Sequence, residues 1–177
     1  MGEIKSTLDL VMEKTKHLSL SEEEKQNQKK NEIEKRVNGL LQKYQDQVLS
    51  LEQLLTEYAR LKQKLGLSDD HFLINQAINK IDLTGDNRFL LELLNQFCGP
   101  KIAGIDSILN DFQEEFNSAA SYRLVELREE LARKHSISGS AVVPNLQADG
   151  VWQAEAGEIR SRYDMKLAAE REKIKNS

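Results

Sequence analysis

The chain has 177 residues, of which 31% are charged and 6% aromatic, and its net charge is −4. That length suits one structural domain with a real core, and that composition favours helices packed through aliphatic stripes. Basic and acidic side chains number 12 and 11 in residues 1–66, 7 and 12 in 67–135, and 6 and 6 in 136–177. No segment is strongly basic, so the footprint of nucleic-acid binding is missing.

The chain opens on Ile4, Leu8, Val11, Thr15 and Leu18, whose 4-3 spacing predicts an amphipathic helix over 3–17. Met1-Gly2-Glu3-Ile4-Lys5-Ser6 also fits the loose myristoylation pattern, but the start of a helix is the simpler reading. No apolar signal segment stands there, so the expected compartment is the cytoplasm. No apolar run exceeds three residues, which argues against a membrane span.

Ser19 with Glu22, and Ser21 with Glu24, have capping-box spacing and predict a helix start near 20–22. From Ser21 to Arg36 the only large apolar residue is Ile33. The pattern then strengthens. Val37, Leu41, Tyr44, Val48, Leu51, Leu55 and Tyr58 alternate steps of 4 and 3, and Leu40, Leu54 and Leu61 add a third column. Three columns cover a wider face than a two-stranded coiled coil uses, so several helix neighbours are expected. The spacing predicts one long helix over 21–65, ended by Gly66 in the left-handed conformation. Gly39 inside it should weaken the helix by about 1 kcal/mol relative to Ala.

Ser68-Asp69-Asp70 is expected to cap a short helix carrying Phe72, Leu73, Ala77, Ile78 and Ile81. Leu83-Thr84-Gly85-Asp86-Asn87 reads as a turn, and a second short helix follows with Phe89, Leu90, Leu93, Leu94 and Phe97. These two helices hold three of the five phenylalanines and are expected to plug a bundle end. Pro100 suits the first turn of the next helix. That helix is expected over 100–135, on Ile102, Ile105, Leu109, Phe112, Phe116, Ala120, Leu124, Leu127 and Leu131, with a stutter after Phe116. Asp149 is expected to cap a last helix carrying Trp152, Ala156, Ile159, Tyr163 and Leu167, with a frayed tail from Glu170.

Signals for chemistry are weak. His17, His71 and His135 each stand alone, and Asp69-Asp70-His71 reads as a helix start rather than a metal site. Asp82-Leu-Thr84-Gly-Asp86 fails as a calcium loop, because its glycine is fourth rather than sixth and Leu93 stands where a carboxylate is needed. Gly99-Pro-Lys-Ile-Ala-Gly104 lacks the order of a phosphate loop. Cys98, the single cysteine, lies among Phe97, Leu94 and Ile102 and reads as a small core residue rather than a nucleophile. Glu114-Glu115, Glu129-Glu130 and Glu22 to Glu24 read as solvated faces.

The unusual segment is residues 136–146, SISGSAVVPNL, between the last two long helices. Val142-Val143-Pro144 favours extended backbone and Pro144-Asn145 suits a turn. Apolar residues in such a corner either cover the bundle end above Trp152 or face outward to meet a partner. Val142, Val143, Pro144 and Leu146 are therefore the candidate partner-binding residues.

The expected fold is an all-α, elongated, coiled-coil-like bundle of five to six helices, two of them long. Its expected parts are 1–66, 67–99 and 100–177, with the tip loop at 136–148. The expected function is non-enzymatic protein–protein interaction, as a scaffold or adaptor subunit and a homo-oligomer. No catalytic residue, metal or cofactor is assigned, and neither nucleic acid nor a membrane span is expected. The alternative is a helical-bundle enzyme or ligand-binding protein with a site near the short helices 69–98. A helical hairpin with a distinctive tip resembles chaperones and stalk or adaptor subunits in architecture alone, and no residue role follows from that.

Overall fold

A computed structural model describes residues 21–176 of the chain. The expected helix over 3–17 and the Ser19–Glu22 cap lie outside the described residues. The fold is an all-α helical bundle, with no strand among the described residues. Its helices are α1 (Glu22–Gln45), α2 (Leu51–Leu65), α3 (His71–Lys80), α4 (Arg88–Cys98), α5 (Ala103–His135) and α6 (Gly150–Lys175). Short 3-10 turns at Gly99–Ile102 and Leu146–Ala148 lead into α5 and α6. The chain divides between Leu67 and Ser68 into two compact units.

The first unit holds α1 and α2. Ser21 starts α1 with a complete capping box: its hydroxyl accepts from the Glu24 amide at 3.1 Å, and the Glu24 carboxylate accepts from the Ser21 amide at 2.7 Å. Ile33, Val37, Leu41 and Tyr44 are buried along one face.

The single helix expected over 21–65 is two helices. Gln47 adopts a left-handed backbone with φ of 59°. The Val48 and Leu49 amides both donate back to the Lys43 carbonyl, at 2.9 and 3.2 Å. Ser50 then caps α2 through a second capping box, accepting from the Gln53 amide at 3.2 Å while the Gln53 side chain accepts from the Ser50 amide at 2.9 Å. The break satisfies the amides and carbonyls that a helix end leaves open, so interrupting the hydrogen-bond ladder costs little. Val48 leaves the stripe and is 67% exposed. α2 packs against α1 with Leu54 and Tyr58 buried, and Gly66 ends it at φ 68° as the sequence predicts.

The second unit runs from α3 to α6. Asp70 occupies the N-cap position of α3 but makes no side-chain cap; the Asp69 carboxylate accepts from the His71 amide at 3.2 Å instead. Leu73, Ala77, Ile78 and Ile81 are buried from this end, and Leu90, Leu93 and Leu94 from α4. Phe72, Phe89 and Phe97 are only half-buried, so aliphatic rather than aromatic side chains fill this region.

Between α3 and α4, Asn87 holds the turn closed. Its side-chain nitrogen donates to the carbonyls of Asp82 at 2.6 Å and Gly85 at 3.2 Å, and its side-chain oxygen accepts from the Asp82 amide at 3.0 Å. The Asp82 carboxylate accepts from the Thr84 amide and hydroxyl, which holds its pKa below the ordinary carboxylate value.

α5 and α6 form an antiparallel hairpin. Phe112 meets Tyr163 edge-on at 5.6 Å between ring centroids, and Phe116 meets Trp152 at 5.1 Å. Ile159, Tyr163 and Leu167 are buried on α6, at the spacing the sequence shows. The expected frayed tail is absent: α6 continues to Lys175, with Ile174 buried and the Arg171 guanidinium donating to the Ile81 carbonyl. One buried isoleucine and one tertiary hydrogen bond are enough to hold a segment that looks polar on its own.

The broken helix has a measurable consequence. Leu41→Ala should cost about 2–5 kcal/mol, as expected for a fully buried leucine. Val48→Ala should cost less than about 0.5 kcal/mol, as at an exposed site. Urea unfolding followed by circular dichroism measures both, and comparable losses at the two positions would restore the unbroken stripe.

Candidate functional site: the tip of the helical hairpin

The tip connects α5 to α6, and both of its ends are hydrogen-bonded. Ser136 terminates α5 in the left-handed conformation at φ 56°, and the Ile137 amide reaches back to the Leu131 carbonyl at 3.2 Å. Gly139 has φ of 133°, where a side chain would be strained, and its carbonyl accepts from the Val142 amide at 3.2 Å. The 3-10 turn at Leu146–Ala148 packs on both α5 and α6. Asp149 then caps α6, its carboxylate accepting from the Trp152 amide at 2.8 Å. This is the cap that the sequence predicts.

A buried cation fixes that cap. Arg123, three turns before the end of α5, is only 8% exposed. Its guanidinium grips Asp149 with two parallel bonds, Nε to Oδ2 at 2.8 Å and Nη2 to Oδ1 at 3.0 Å. Nη1 reaches Glu126 at 2.9 Å and Glu130 at 3.5 Å, and Glu130 also accepts from Lys134 at 3.0 Å. The fork geometry of arginine suits such a bidentate pair. Arg123 and the Trp152 amide together hold the Asp149 carboxyl below its ordinary value. Lys134, more than Arg123, does the same for Glu130.

Sequence reasoning missed Arg123. The apolar stripe of α5 passes through Ala120 and Leu124, and an arginine one residue from Leu124 reads as a solvated flank. Two signals mark it in retrospect: the stutter that turns the buried face at this point, and the carboxylates three and seven residues onward.

The four tip residues named from the sequence divide. Pro144 is buried, Val142 and Leu146 are half-buried, and Val143 is 78% exposed. The tip thus both covers the hairpin end and presents two large apolar side chains outward, Val143 and, at 47% exposure, Ile137. Below it, Trp152 is buried beside Phe116.

Of the other residues weighed for chemistry, Glu115 and Glu24 have structural partners. Glu115 binds Tyr163 at 2.9 Å and pairs with Arg162. Tyr163 and Arg162 keep the Glu115 carboxyl charged below its usual range, with Tyr163 the larger influence. Glu24 belongs to the α1 cap. Cys98 is half-buried, and burial pushes its thiol pKa up, away from a reactive thiolate. It borders a cavity of about 180 Å³, shared with His71, Asn75 and Lys101, in which the Asn75 side-chain oxygen is buried without a hydrogen-bond partner. Among the described residues, no group of three or more His, Cys, Asp or Glu side chains is placed to hold a metal ion.

Comparison with family models, curated proteins and solved structures finds no match to this chain.

The sign of the pH dependence follows from the Asp149 pair. Its folded pKa lies below the ordinary 3.8. The pair's contribution to stability is therefore complete above the unfolded value and is lost as pH falls through the depressed folded one. Asp149→Asn should lower the melting temperature at neutral pH. It should also give a shallower decline than the native chain as pH falls below about 4. Parallel declines in a calorimetric pH series would rule out the pair as a source of acid sensitivity.

Proposed function

We propose that this protein is a non-enzymatic binding module, a scaffold or adaptor subunit, that meets other protein chains through its helical faces and the tip at 136–146. The observation that carries this reading is Val143. A solvent-facing valine at 78% exposure stands on a loop whose neighbours are tied down by buried Pro144 and the Arg123–Asp149 clamp. An apolar side chain held outward on an ordered loop loses little conformational freedom when a partner covers it. Tyr122 and Val125 on α5 and Val151 and Met165 on α6 are also more than half exposed, which fits coiled-coil-like packing between copies in a homo-oligomer. A cytoplasmic setting belongs to the same reading. No described helix is long and apolar enough to cross a membrane.

A second reading, a small-ligand site beside the short helices, is favoured by one observation: the 180 Å³ cavity at Cys98 with the unpartnered Asn75 oxygen. It is weaker, because the cavity is small for an organic ligand.

Light scattering tests the main reading. The native chain should show an oligomeric mass that rises with concentration. Val143→Asp should shift it at least severalfold toward monomer while leaving the melting temperature unchanged. A strict monomer at high concentration refutes self-association, and a Val143→Asp protein that associates normally removes the tip from the interface.

A further inference from the structure

The first unit carries a second surface, unrelated to the tip. A groove of about 350 Å³ runs between α1 and α2. Its rims are basic: Lys35, Arg36 and Lys43 stand on α1, Arg60 and Lys64 on α2. Glu57 is the one carboxylate in its lining, and it is paired with Arg60 at 2.6 Å. Arg36 is paired with Glu32 at 2.6 Å. The side chains of Lys35, Lys43 and Lys64 have no ion-pair or hydrogen-bond partner among the described residues.

The floor between these rims is apolar. Leu40 and Leu61 line it and are only half-buried, although Leu54 in the same column is fully buried. Gly39 also lines the groove, and a Cβ built there meets nothing within 4 Å. A glycine at the contact lets another backbone approach closely. The α1 rim from Lys35 to Lys43 is about 12 Å long, roughly two helical turns. The three-column stripe of this region calls for a third helix, and the two described helices cover only part of it.

We infer that this groove docks an acidic amphipathic helix of a partner protein, with an apolar stripe on Leu40 and Leu61 and flanking carboxylates on Lys35, Lys43 and Lys64. Charge complementarity selects this occupant. A helix laid in a groove recognises by anchors at i, i+3/i+4 and i+7, and two leucines beside an open glycine match such anchors. Free phosphate or nucleic acid would leave the leucine floor uncovered, and a net charge of −4 opposes a long polyanion. A membrane surface would need aromatic anchors, which the groove lacks. Residues 1–20 carry three carboxylates and three lysines, so they do not supply the negative excess the rims call for.

The test uses the full chain and a fluorescein-labelled amphipathic peptide of about 18 residues, five helical turns, with a leucine face flanked by glutamates. A matched peptide carries lysines in place of the glutamates. Fluorescence anisotropy should show saturable binding of the glutamate peptide only, weakened by added salt. Lys43→Glu with Lys64→Glu should weaken it at least about tenfold, as expected for losing close charge pairs, and Gly39→Phe should do so by filling the floor. Circular dichroism should report unchanged helicity for both variants. The proposal fails if the two peptides bind alike, if neither variant weakens binding, or if phosphatidylglycerol vesicles or inorganic phosphate displace the peptide completely. It also fails if the charge-reversed variant alters the oligomeric mass, because the groove then belongs to a second copy of the chain. Tip variants leave this binding untouched, so the two surfaces stand or fall separately.

Discussion

The hairpin that builds most of the second unit depends on one interaction, the bidentate pair of Arg123 with Asp149. These residues are 26 positions apart, and the pair closes the loop between them. Asp149 has two tasks at once, since the carboxylate that receives Arg123 also caps α6 through the Trp152 amide. The direction in which α6 departs is thus tied to a side chain on α5. That departure seats Trp152 against Phe116, and about three turns later Tyr163 reaches Phe112 and Glu115. Burying a guanidinium is costly unless its donors are met. Asp149, Glu126 and Glu130 meet them here, which is why an arginine can sit at an 8% exposed position.

The same principle, satisfaction of the backbone at helix ends, explains where the first unit departs from its periodicity. The 4-3 spacing runs unbroken from Val37 to Tyr58. The backbone does not, because Ser50 and Gln53 offer a complete capping box and Gln47 accepts a left-handed conformation. Once the chain turns there, α2 lies against α1 and the third apolar column becomes half internal and half groove floor. A break of five residues converts a stripe that looks like a long coiled-coil strand into a pair of short packed helices.

Both surfaces proposed for binding arise where packing is left incomplete. At the tip, Pro144 is drawn inward and its neighbour Val143 is left outside. In the groove, Leu40 and Leu61 are partly covered and framed by lysines without partners among the described residues. The two differ in character. One is a convex apolar projection, Val143 with Ile137, on a hydrogen-bonded loop, and the other is a concave apolar strip under positive charge. Under the proposed reading, two such faces would hold two different chains, one by shape and one by charge.

The sequence by itself determined the helical class, the Ser21–Glu24 and Asp149 caps, the Gly66 stop and the buried faces of α3, α4 and α6. These are local effects of hydrogen bonding and apolar spacing within a few turns. It also marked residues 136–146 as the place where the chain does something unusual. Tertiary structure alone decided the rest. Whether Val48 continues a stripe or faces water depends on competition between a cap and a ladder. Whether Arg123 is solvated or buried depends on a carboxylate 26 residues away. Whether the C-terminal turns fray depends on Ile174 and Arg171 finding partners in α6's surroundings. Whether Val142, Val143 and Pro144 point in or out depends on how the Gly139 turn and the 3-10 turn aim the backbone. The Arg123 and C-terminal cases turn on contacts between residues far apart in the chain, and the Val48 and tip cases on which local hydrogen-bond pattern prevails; periodicity carries no information about either.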